Sequence, residues 1–136
     1  MDSLTQFALG ATIGAATLSR KIGPRRAVIV GGLLGTAPDL DVFLPFDGPI
    51  DSFVEHRGWT HSLIVHSALA PVIGWGLHKL FRGRAPDLSL AQMIGVVWLC
   101  LTTHALLDWT TTYGTQILWP LTDRPFALSW IFIIDP

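Results

Sequence analysis

The sequence holds a single cysteine, Cys100. That excludes an internal disulfide framework and any cysteine-based metal cluster, and leaves Cys100 to read as a small buried hydrophobe. Charge is scarce as well. Only 14% of the 136 residues are charged, against roughly 25% in soluble domains. Nine basic and ten acidic residues leave a formal net charge of −1. No bulk electrostatic case for a nucleic-acid partner survives that balance. What is plentiful is apolar: 50% of residues are hydrophobic, with 6 Trp and 13 Gly. That composition argues against a disordered chain and against an ordinary water-soluble globule. It suits a membrane protein, where interfacial Trp and helix-packing Gly are common. The length suits one domain, residues 1–136. With cysteine set aside, any chemistry must use His, Asp, Glu and hydroxyls.

The few charges are unevenly placed. Four stretches carry none: Ser3 to Ser19, Ala27 to Pro38, Ser62 to His78 (with its histidines neutral) and Leu88 to Leu107. A membrane-crossing helix needs about 20 apolar residues, with a range of roughly 17–25. The first, third and fourth stretches qualify on length. The second is short; it either starts earlier, with Arg25 and Arg26 snorkelling to the headgroups, or is a half-helix ending inside the membrane. Arg20, Lys21, Arg25 and Arg26 lie between the first two stretches, and Lys79, Arg82 and Arg84 between the last two. The positive-inside rule assigns those two connections to the cytoplasm and the N-terminus to the outside. Gly10 and Gly14, and Gly31, Gly32 and Gly35, read as close-packing positions between helices. Trp119 and Trp130 read as interfacial anchors. The expected fold is all-α, an integral membrane bundle of about four helices. A soluble bundle is the alternative, but it gives no reason for basic loops to alternate with uncharged runs.

Polar residues gather at the opposite ends of the same stretches: Thr5-Gln6, Asp39 and Asp41 after Pro38, Glu55 to Ser62, and His104 with Asp108. The proposed topology puts all of them on one side of the bilayer. His104 and Asp108, spaced i and i+4, share a helix face and can hold one divalent ion, or simply hydrogen-bond to each other. Asp39 and Asp41 repel one another unless a cation neutralises them, or they lie in a solvated loop. Arg57 has the geometry to bind a phosphate, and is otherwise an ordinary interfacial cation. Thr60 or Ser62 caps the helix that follows. Ionisable groups at membrane depth are costly unless paired or functional. Asp39, Asp41, His56, His61, His104 and Asp108 falling on one face therefore point to a divalent metal site. A bundle is a known place to build one. His66, deeper along its helix, is a second-shell partner or a core histidine bonded to backbone or hydroxyl. His78 is expected to be structural.

Several segments carry a resemblance: MDSLTQFALGATIGAA, GTAPDLDVF, HRGWTHSL, THALLDWTTTYGTQILWP and IFIIDP, in order and covering nearly the whole chain. They resemble the membrane-bound metal-dependent hydrolases of the YdjM-like family. More distantly they are similar to the zinc-dependent phospholipase C and P1 nuclease group. The resemblance implies that Asp39, Asp41, His56, His61, His104 and Asp108 are the motif positions, with zinc the implied metal. It implies phosphoester-type hydrolysis by a metal-activated water. Many relatives carry Thr-His where this chain has Thr5-Gln6, so Gln6 is a weak ligand or a second-shell group. Relatives often continue past Ile-Asp-Pro; the chain is a short gene product or a truncated fragment, and the role of Asp135 is left open.

The resulting expectation is an inner-membrane, multi-pass hydrolase with its site on the non-cytoplasmic face. Its partners would be the lipid bilayer and a small-molecule or lipid-like phosphoester. Glu55, or whichever of Asp39 and Asp41 is not a ligand, would act as general base. Arg57 and the amides near Thr60 and His61 would stabilise developing charge. Thr111, Thr112 and Tyr113 would orient substrate or serve structure, and Arg57, Thr60 and Tyr113 are the substrate-binding candidates. Six ligand candidates also allow two ions. The rival expectation is a protein that binds or transports divalent cations or protons without hydrolysis.

Overall fold

The computed structural model describes residues 2–43 and 57–131. Glu55, His56 and Asp135 lie outside the described residues. Asp2 caps the first helix, α1 (Ser3–Ile22), its carboxylate accepting from the Thr5 amide at 2.9 Å and the Thr5 hydroxyl at 2.6 Å. Gly23, at φ +86°, turns the chain. Pro24 then opens α2 (Pro24–Thr36) in its first turn, where a missing N–H costs nothing. A 3₁₀ segment, Ala37–Phe43, follows directly, and a shorter one, Trp59–His61, leads into α3 (Leu63–Phe81). Ser62 caps α3 by accepting from the Ile64 and Val65 amides. Ser89 caps α4 (Leu90–Trp109) by accepting from the Gln92 amide. The four helices form an all-α bundle among the described residues.

Glycine decides how α1 and α2 pack. A Cβ on Gly10 would overlap the Gly31 carbonyl oxygen, and one on Gly14 would overlap that of Ala27. The reciprocal positions, Gly31 and Gly35, are closed by the carbonyls of Gly10 and Gln6. Backbone therefore lies against backbone along this pair. The second pair meets through side chains, with Gly74 of α3 the one close approach, against Ile94 of α4. Leu18, Ile22, Ala27 and Leu34 from the first pair join Met93, Val97, Cys100 and Leu101 of α4 in the shared core.

Among the described residues two helices, α3 and α4, are long and apolar enough to cross a membrane. The uncharged run that becomes α1 does not pass that test although its length does. Uncharged is not the same as apolar: Thr5, Gln6, Thr12, Thr17 and Ser19 dilute the helix, and Arg20 and Lys21 fall inside it. The second run starts earlier than its uncharged part, at Pro24, and takes Arg25 and Arg26 into the helix.

The helices run up and down, which sorts the chain's polar groups by end. The Gly23 turn and the α3–α4 connection share one end, where Lys21 Nζ donates to the Asp87 carbonyl at 3.1 Å. The opposite end collects the start of α1, the end of α2, the start of α3 and the end of α4. Residues 110–131 fold over that end through two isolated bridges, Thr111 with Ile131 and Thr115 with Phe126. The segment is tied down by the Leu63 amide donating to the Ile117 carbonyl at 3.0 Å.

Candidate metal centre

At the covered end four side chains converge. Asp39 comes from the first 3₁₀ segment, His61 from the second, and His104 and Asp108 from one face of α4. Each offers one ligand atom, and these atoms lie within 4.8 Å of one another. His61 Nε2 and His104 Nε2 are 3.0 Å apart. Asp108 Oδ2 stands 3.2 Å from the first and 3.3 Å from the second. Asp39 Oδ1 stands 3.5 Å and 3.3 Å from the same two nitrogens. Ligands bonded tetrahedrally at about 2.0–2.1 Å are separated from each other by about 3.3–3.4 Å. The separations of the two imidazole nitrogens from each other and from the carboxylate oxygens, 3.0–3.5 Å, bracket that value.

Hydrogen bonding fixes which atoms face the centre. His104 Nδ1 lies 2.6 Å from the Gly35 carbonyl, which can only accept, so Nδ1 carries the proton. The Thr60 hydroxyl donates to Asp41 Oδ2 at 2.7 Å. It must therefore accept from His61 Nδ1, 3.0 Å away. With the rings neutral, the Nε2 lone pairs point inward, beside two carboxylate oxygens. Protons on both Nε2 atoms would collide at 3.0 Å. A cation at the centre satisfies all four groups at once. Charge also balances: a divalent ion and Arg57 offset Asp39, Asp41 and Asp108. A buried cluster of this composition could hold a metal ion.

A second ring of residues holds the first. Gln6, fully buried, donates from Nε2 to Asp108 Oδ1 and to the His104 carbonyl, each at 3.3 Å. Arg57 Nη2 lies 3.4 Å from the same Asp108 oxygen, and Nη1 donates to Thr111 Oγ1 at 3.0 Å. With Oδ1 held from two sides, Asp108 is left to turn Oδ2 toward the centre, the kind of outer support that fixes a ligand's orientation. Asp39 is the ligand candidate closest to solvent, its side chain 12% exposed while the other three are sealed.

The structure thus sorts the residues singled out from the sequence. Asp39, His61, His104 and Asp108 come together. Asp41 does not join them; it receives the Thr60 hydroxyl and the Arg57 amide, the latter at 3.2 Å, and lies 3.7 Å from His61 Nδ1. Arg57 is not an open anion site. It is 4% exposed, packed over the Tyr113 ring, and has φ +66°, a left-handed conformation costing about 1–2 kcal/mol for a non-glycine residue. Its carbonyl accepts from the Gln116 amide at 3.1 Å, and this bond with the one to Asp41 keeps it there. Thr111 is fully buried and ties Arg57 to the end of α4, a structural part. Burial pushes the Tyr113 phenol up, Arg57 pulls it back and Asp41 adds to the rise. His66 is a core histidine bonded to the Thr60 carbonyl at 2.8 Å. Gln6 is an outer partner of Asp108, one of the two roles that the resemblance implied for it.

The family model described as YdjM inner membrane protein matches residues 1–136. The protein YfhP of Bacillus subtilis (strain 168) is 31% identical over 147 residues. That match covers 100% of this chain and 42% of YfhP, so the chain spans less than half the length of this relative. No solved structure matches.

Proposed function

The chain belongs to the YdjM inner membrane protein family, and from that premise we propose that it is a membrane-bound, metal-dependent hydrolase of phosphoesters. One observation carries the reading: two imidazole and two carboxylate ligand atoms converge within 4.8 Å, each held by a partner outside the cluster, Asp39 by the Ser3 hydroxyl at 3.4 Å. Asp39, His61, His104 and Asp108 would hold the ion, zinc being the best match to this donor set and spacing. When bound, it would supply Lewis-acid polarisation and a water made acidic enough to attack near neutral pH.

The chain's own residues divide the remaining work. Gln6 and Arg57 hold Asp108, the Gly35 carbonyl holds His104, and the Asp41–Thr60 pair holds His61. Asp39, the partly exposed ligand, marks the side from which substrate and water enter. Glu55 carries the general-base role in this reading. Hydrolysis of a phosphodiester consumes one water and yields an alcohol and a phosphomonoester. The basic connections sit at the other end of the bundle, which by the positive-inside rule turns the site away from the cytoplasm.

The test begins with metal content after purification in detergent, expected near one ion per chain. A chromogenic phosphodiester should be hydrolysed, and Asp108→Ala and His61→Ala should abolish both metal and turnover while insertion persists. Glu55→Gln should lower turnover and keep the metal. A second reading, cation binding without hydrolysis, draws on the completeness of the four-ligand shell, since structural sites are closed in this way. Stoichiometric metal with no turnover would decide for it; wild type with no bound metal would end both.

A further inference from the structure

Beside the metal centre, between α3, α4 and the two 3₁₀ segments, lies a cavity of about 180 Å³. Ala37, Pro38, Trp59, Leu69, Ile73 and Leu101 form most of its wall, and the lining is almost wholly apolar. Thr60 and His66 complete it, and the His66 Nε2 proton is already given to the Thr60 carbonyl. The cavity adjoins the cluster through the chain itself: Pro38 precedes Asp39, Thr60 precedes His61, and Leu101 lies one helical turn before His104. Trp59 and Leu69 are 43% and 40% exposed, so the cavity borders the outer surface of the bundle. Its helical walls, α3 and α4, are the two helices apolar enough to face lipid.

We propose that this cavity is an alkyl-chain subsite, taking roughly the first six carbons of one hydrocarbon chain of an amphiphilic phosphoester whose headgroup reaches the metal centre. An apolar cavity of about 150 Å³ takes up benzene and stays dry otherwise, which sets the length. The assignment rests on the hydrolase reading for the headgroup, and on the cavity alone for the chain. Apart from the His66 Nδ1, which has no hydrogen-bond partner among the described residues, these walls offer a polar small molecule little. A hydrocarbon chain gains a factor of about three to four for each methylene removed from water.

The test uses the whole chain in detergent and alkyl 4-nitrophenyl phosphodiesters from methyl to octyl. The expected kcat/KM rises threefold to fourfold per methylene and levels near hexyl. Ile73→Phe, which fills the cavity, should cut the octyl-to-methyl ratio at least tenfold while bound metal is retained. Leu69→Phe, at the rim, serves the same purpose should Ile73→Phe not fold. A wild-type profile flat with chain length, with methyl diester turnover intact, overturns the subsite and leaves the hydrolase reading standing. Where no diester is turned over, the hydrolase reading falls and binding decides. A phosphocholine with a brominated hexyl chain should saturably quench Trp59, read as the difference between wild type and Trp59→Phe, and Ile73→Phe should remove that quenching. Absence of quenching overturns the subsite. Quenching by a lipid that does not compete with hexyl diester turnover overturns its assignment to substrate, in favour of a resident bilayer lipid.

Discussion

The two helix pairs solve the same packing problem in opposite ways. In α1 and α2 the side chains at the contact are reduced to hydrogen, and carbonyl oxygens of one helix fill the space where the other would carry a Cβ. In α3 and α4 large apolar side chains remain, and glycines such as Gly76 and Gly95 have nothing within 4 Å of where a Cβ would stand. Lipid offers no hydrophobic drive between helices, so close backbone approach is one of the few sources of attraction left. The first pair gives up apolar surface for rigidity, and it is the less apolar pair. The second pair keeps its lipid-compatible surface and carries two of the four candidate ligands, His104 and Asp108, on one face. The frame and the lipid-facing wall are thus separate parts of one molecule.

The sharpest way to break this contrast is at Gly31. Gly31→Val must drive α1 and α2 apart. The expected loss is about 3 kcal/mol or more, beyond the usual range for overpacking because backbone cannot move aside as a side chain can. A fall in the detergent melting temperature would check it; an unchanged melting temperature would show that the pair is not the rigid part. Next in size is the link between the pairs. Gln6→Ala removes the amide from α1 that holds Asp108, and metal affinity should drop 10–100-fold with the fold kept, measured by competition with a chromophoric chelator. Unaltered affinity would mean that α1 is only scaffolding.

The contrast also shows what a linear reading could reach. His104 and Asp108 were legible because four residues make a helical turn. The choice between Asp39 and Asp41 was not, since both follow Pro38 and both look like ligands. A 3₁₀ helix turns about 120° per residue, so positions two apart point different ways. Asp39 turns to the cluster and Asp41 to Thr60 and the Arg57 amide. Arg57 looked like an anion-binding residue because its partner, Asp108, is 51 positions away and no local spacing announces the pair. The helices themselves were marked by their uncharged runs and basic loops. What that count missed is that threonines and glycines in α1 are neutral without being hydrophobic.

Smaller effects sharpen the comparison from the other side. Gly95→Ala on α4, where space is open, should stabilise by about 0.5–1 kcal/mol through helix propensity alone. A destabilisation there would mean that the second pair is packed as closely as the first. Least of all should be the cap of α1. Thr5 hydrogen bonds lower the Asp2 carboxyl from its ordinary value of 3.8. A lowered folded-state value contributes stability that is present above 3.8 and lost as pH falls through that lowered value. Asp2→Asn should flatten this shallow acid limb of the melting curve and leave neutral-pH stability nearly unchanged.

The bond from His104 to the Gly35 carbonyl and the one from Gln6 to Asp108 join residues 69 and 102 positions apart. A ribosome that has delivered α1, α2 and α3 has made Asp39 and His61 but neither of their counterparts on α4. On the proposed metal reading, ion capture waits until α4 has emerged and docked, which makes loading a signal that these four helices have assembled. A nascent chain stopped before residue 104 should retain no zinc, and one that does would show that capture precedes assembly.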